Sequence, residues 1–115
     1  MAGSVSSSGT QTATIGTEHT LKADSVPAAY ELHVDTNAMA GGDTLELRLK
    51  ENVLSGGTVR SAVFFTRSGA AAEAAPNGFI VCLGPFFFDQ GVTATLKQTA
   101  GTGRAYPWKL LRVGS

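Results

Sequence analysis

From residue 12 onward, apolar and polar side chains alternate with a period of two in short runs, the spacing of strands that bury one face and wet the other. Tyr30, Leu32 and Val34 alternate with Glu31, His33 and Asp35; Leu45, Leu47 and Leu49 alternate with Glu46, Arg48 and Lys50. Further strand-like runs span 12–23, 58–66, 79–86, 92–99 and 106–113. Between them lie clusters that accept positive φ or start turns: Gly41-Gly42-Asp43, Ser55-Gly56-Gly57, Pro76-Asn77-Gly78, Asp89-Gln90-Gly91 and Gly101-Thr102-Gly103. Only Asn37–Ala40 and Ala70–Ala75 have the composition for a turn or two of helix, and Pro76 would end the second. The pattern predicts an all-β, single-domain antiparallel β-sandwich or jelly roll of about seven to eight strands.

Residues 1–11 break this pattern. They are mostly Ser, Gly, Thr and Ala and have almost nothing to bury, which predicts an extended, flexible N-terminal arm ahead of a domain spanning 12–115. Small side chains at Ser6, Ser7, Ser8 and Gly9 would let another backbone approach closely. These four are therefore candidate contacts for a neighbouring subunit through main-chain pairing.

The aromatic residues divide on strand geometry. Phe64, Phe65 and Phe79 read as core. Phe86, Phe87 and Phe88 are consecutive and cannot all face one side of a strand, so Phe87 is a candidate exposed interface residue. Tyr106 and Trp108 could instead form a stacking platform if they lay on an open face. Cys82 is the single cysteine, which excludes an internal disulfide, and its apolar neighbours predict a buried, inert thiol.

Charge narrows the range of partners. The net charge is zero, so the attraction for phosphate backbones or anionic lipid that a basic domain exerts is missing; neither nucleic acid nor membrane is an expected partner. The longest apolar run, 79–88, contains Gly84 and Pro85 and is too short to span a bilayer. The N-terminus lacks the basic start and apolar run of a signal peptide, so export is not expected. Residues 1–51 hold seven acids and three bases, whereas 52–115 hold two acids and six bases. Either opposite patches meet between copies, or neighbouring strands interleave the two halves within one molecule; the second is the simpler reading.

No motif demands catalysis. The two histidines, His19 and His33, read as surface strand positions, and Glu31, His33 and Asp35 share one face of a strand without a converging second ligand set. Asp35-Thr36-Asn37 with Gly41-Gly42-Asp43 lacks the ligand spacing and late glutamate of an EF-hand; Gly101-Thr102-Gly103-Arg104 lacks a phosphate-loop lysine and a following helix. The chain is therefore expected to be no enzyme and to hold no cofactor or metal. Arg104, beside the Gly101–Gly103 turn, is a further candidate contact residue.

The run Tyr30–Arg48, then Val53–Thr58, then Val92–Arg104 followed by Trp108, resembles small virion proteins of tailed bacteriophages. The likeness lies in turn and strand signatures across residues 12–113. It implies a capsid decoration, or cement, protein: a β-sandwich seated on the capsid exterior at junctions of the major capsid protein, self-associated as a dimer or trimer, and made in the host bacterial cytoplasm. A binding module of another kind, a head-fibre base or a carbohydrate-binding domain using Trp108 and Tyr106, is the alternative.

Overall fold

The computed structural model of the chain describes residues 3–69 and 80–113. Eight strands run β1 Gly3–Thr12, β2 Glu18–Asp24, β3 Ala28–Asp35, β4 Thr44–Glu51, β5 Arg60–Ser68, β6 Ile80–Phe88, β7 Val92–Ala100 and β8 Ala105–Val113. They form two four-stranded sheets, ordered β1-β8-β3-β6 and β2-β7-β4-β5, with every pairing antiparallel. Strand 1 pairs with 8, 2 with 7, 3 with 6 and 4 with 5, so the chain is one long hairpin folded over itself into a jelly roll.

The two strands with the clearest alternation supply the middle of the core. Tyr30, Leu32 and Val34 of β3 and Leu45, Leu47 and Leu49 of β4 are wholly inaccessible, and they meet Leu96 of β7 and Leu110 of β8 between the sheets. Each such side chain contributes roughly 1.5–3 kcal/mol by leaving water. Two turns demand glycine. At Gly91, with φ of 87°, a Cβ would lie 2.1 Å from the Asp24 carbonyl oxygen, and at Gly101, with φ of 86°, 1.9 Å from Asp43 Oδ1.

Several expectations change here. The N-terminal segment is not an arm beyond the domain: Gly3 to Thr12 is β1, an edge strand registered on β8 from Gly3 opposite Val113 to Thr12 opposite Ala105. Its order comes mainly from pairing with the β8 backbone, which is why composition alone could not reveal it. Phe64 is 53% exposed, because Val63 and Phe65 take the inward phase of β5. Cys82 is likewise exposed, because Val81 and Leu83 take the inward phase of β6. Residues 37–38 make a hydrogen-bonded turn, Met39 N–H to Thr36 O, and no helix. The alanine-rich run 70–75 and Phe79 lie outside the described residues.

Two ion pairs join the acidic and basic halves of the chain within the molecule. Arg112 of β8 holds Asp24 of β2 across the gap between the sheets, with Nε and Nη2 at 3.1 and 2.8 Å from Oδ2, and Arg104 Nε lies 2.9 Å from Asp43 Oδ2. Each of these pairs joins an acid of the first half to a base of the second, as interleaved strands allow.

Candidate interaction surface

The two ends of the sandwich differ in chemistry. At one end, the β3–β4 and β7–β8 connections close over a polar cluster. Asp43, 1% exposed, accepts from the Ala40 and Thr102 N–H groups and from Arg104. Gln98, wholly buried, donates to the carbonyls of Ala100 and Thr102 and accepts from the Arg104 N–H and the Tyr106 hydroxyl. Burial pushes the Tyr106 hydroxyl up to about 12, the nearby Asp43 charge adding to it. Every donor and acceptor named has a partner, so this cluster fastens two loops to each other.

Two carboxylates, Asp43 in this cluster and Asp24 at the other end of the sandwich, make the fold sensitive to acid. Burial works against ionisation of both Asp24 and Asp43, but hydrogen bonds outweigh it. Ser6 Oγ, the Val26 N–H and Arg112 hold Asp24 below the ordinary 3.8, and the Ala40 N–H, Arg104 and the Thr102 N–H do the same for Asp43. A carboxyl whose pKa is lower folded than unfolded stabilises the fold fully above the unfolded value and loses that contribution as pH falls toward the folded one. The melting temperature is therefore expected to be level above about pH 5 and to fall below about pH 4, where unfolded aspartate titrates. Asp24→Asn with Asp43→Asn should melt lower at pH 7 and show a flatter acid slope; an unchanged slope in calorimetry would refute the assignment.

The opposite end, made by the β2–β3, β4–β5 and β6–β7 connections, is apolar. Val53 and Leu54 stand 78% and 74% exposed in the β4–β5 loop, with Val59 behind them. Val26 is exposed in the β2–β3 turn, and Phe86 and Phe87 are exposed where β6 ends. Val5, opposite Leu111 on β8, lies toward the same end. Of the large apolar side chains exposed among the described residues, only Ile15, Phe64 and Ile80 lie elsewhere. The Phe triplet divides as strand geometry requires: Phe88 is buried, its ring centroid 6.4 Å from that of Tyr30, while Phe87 points out, 68% exposed. Exposed apolar side chains gathered at one end of an otherwise well-packed domain are candidate interaction sites.

The other candidate residues are dispersed. Ser6 is half-buried and donates to Asp24; Ser8 lines a shallow groove of about 270 Å³ with His33, Asp35, Ile80, Pro107, Trp108 and Lys109 on the outer face of the first sheet. Ser7 is half-buried, opposite Leu110. Gly9 lies against the Trp108 indole, where a Cβ would sit 3.6 Å from Nε1. Arg104 is engaged by Asp43. Tyr106 is wholly buried and Trp108 packs on the core, so these two do not share an open platform. His33 pairs with Glu31, while Asp35 accepts the Asn37 N–H at 2.9 Å; among the described residues no three His, Cys, Asp or Glu side chains converge. Sequence reasoning placed Phe87 on the surface but passed over Val53 and Leu54. The signal was present, two large apolar residues inside a Ser-Gly-Gly turn that had no strand to bury them.

Comparison with family models, curated proteins and solved structures finds no match to this chain.

Proposed function

We propose that this chain is a non-catalytic structural protein that decorates a bacteriophage capsid, binding the outer surface where major capsid protein subunits meet and docking through its apolar end. The observation that carries this reading is the collection of Val26, Val53, Leu54, Val59, Phe86 and Phe87 at one end of the jelly roll. A few well-packed anchors, aromatic residues prominent among them, supply most of the binding energy in such contacts, a role open to Phe86 and Phe87. A net charge of zero suits a site crowded with identical neighbours, because copies of the chain do not repel one another strongly. The jelly roll recurs in shell proteins, an analogy of architecture that raises the expectation and carries no contact with it.

Replacing Leu54 and Phe87 together by Asp should reduce occupancy on undecorated shells at least tenfold in co-sedimentation, about 1.4 kcal/mol. The melting temperature should stay within a few degrees, since exposed substitutions away from structural features rarely exceed about 0.5 kcal/mol. Wild-type occupancy by the folded double variant would overturn the docking surface.

A further inference from the structure

Four strands form the edges of the two sheets, and three carry features that blunt an edge. On β2, Glu18, Lys22 and Asp24 accompany a register shift between Thr20 and Lys22; on β6, Pro85 lacks an N–H and the register shifts near Gly84. The β1 edge is Ser-rich and shifts register between Val5 and Ser7. β5 differs: its register also shifts, between Ser61 and Val63, but from Val63 to Ser68 it stays in register on β4, and between Arg60 and Arg67 it runs Ser61-Ala-Val-Phe-Phe-Thr66 without a charge. A cleft of about 590 Å³ lies between β5 and β6, lined on one side by Phe65, Thr66 and Arg67 and on the other by Ile80, Val81 and Leu83.

We infer that β5 is a self-pairing edge: a second copy of this chain adds its own β5 antiparallel about a twofold axis through Phe64, joining the two β2-β7-β4-β5 sheets into one of eight strands. The register follows from parity. In a continuous sheet, opposed residues point to the same face, so a twofold normal to the sheet must set one residue against its own copy. Centring on Phe64 sets Phe64 against Phe64, and Val63 against Phe65. Centring on Phe65 would oppose Val63 to Arg67, and centring on Thr66 would oppose Phe65 to Arg67. Centring on Val63 would oppose Phe65 to Ser61, so only the Phe64 centre gives Val63, Phe64 and Phe65 each an apolar partner, the arrangement that stabilises a cross-strand pair.

Charge favours the same geometry. Antiparallel pairing about Phe64 carries Arg67 of each copy toward the far end of the other strand, beyond the register shift at Ala62, whereas parallel pairing would stack each arginine on its own copy. The Arg48 guanidinium already lies 4.7 Å above the Phe64 ring and leaves the ring half-exposed. Pairing extends this into a row on the outer face, with the two Phe64 rings between two Arg48 side chains. The inference is independent of what the apolar end binds.

Sedimentation equilibrium of the full chain near 100 µM should give twice the mass of one chain. Phe64→Glu, which sets two carboxylates against each other, should raise the dimer dissociation constant by roughly a hundredfold or more. A chemical test does not depend on that variant folding. In a Cys82→Ser background, Phe64→Cys should form an intermolecular disulfide under mild oxidation, since its Cα lies within ~4.5–5.5 Å of its copy. Ala62→Cys should not, being about 13 Å from its own copy at ~3.3 Å per residue. A monomer or trimer at that concentration, a dimer that survives folded Phe64→Glu, or equal crosslinking at both positions would overturn the inference.

Discussion

Leu47→Asp is expected to abolish folding. Leu47 is wholly inaccessible at the centre of the second sheet, opposite Phe65 on β5 and Leu96 on β7. Truncating a buried leucine costs roughly 2–5 kcal/mol through lost transfer energy and the cavity left behind. The carboxylate then enters a site without a cation or donor to pair it, which adds several kcal/mol more or forces it to take up a proton. A domain of this size is stable by only about 5–15 kcal/mol, so the two penalties together are enough to unfold it. Leu47→Met, which conserves volume, should cost less than about 1.5 kcal/mol and serves as the control. Circular dichroism and thermal melting distinguish the outcomes. A soluble, cooperatively melting Leu47→Asp protein would mean that β4 presents its other face to the core.

That prediction is available from sequence because β3 and β4 alternate cleanly, so the phase of each strand can be read one residue at a time. Other segments lacked that handle for physical reasons. Phe64-Phe65 and Ile80-Val-Cys-Leu83 are continuous apolar runs, in which either phase buries a large side chain, and only the neighbouring strand decides between them. The structure turns Phe64 and Cys82 outward. The apolar end of the sandwich was legible only in part: Phe87 follows from the impossibility of burying three consecutive Phe residues on one face. Val53 and Leu54 looked like turn residues until the topology brought their loop to the same end as Phe86, Phe87 and Val26. The clamp of Asp43, Gln98 and Arg104 could not be read at all, since Asp43 lies 61 residues before Arg104 and only the fold brings their loops together.

The N-terminal strand is the sharpest case, and it leads to the second large effect. A run of Ser, Gly and Thr has no alternation to show, and ordering it costs about 1–2 kcal/mol per residue, which its own side chains cannot offset. The partner strand supplies the compensation. The β8 backbone pairs with β1 along its length, Ser6 reaches Asp24, and the Trp108 indole packs under Gly9. Deleting residues 2–11 would make β8 the edge, uncover one side of Trp108 and Leu110, and remove a hydrogen bond from Asp24 in its half-buried pair with Arg112. The relief of ordering entropy offsets part of this, so the net loss is smaller than a sum over hydrogen bonds at about 0.5–1.5 kcal/mol each. A net loss of about 3 kcal/mol would lower the melting temperature by more than 10 °C in a domain of this size. Calorimetry of the truncated protein measures it directly. A melting temperature within a degree or two of the full chain would show that β1 contributes little to the sheet and is free to leave β8 for the edge of another subunit.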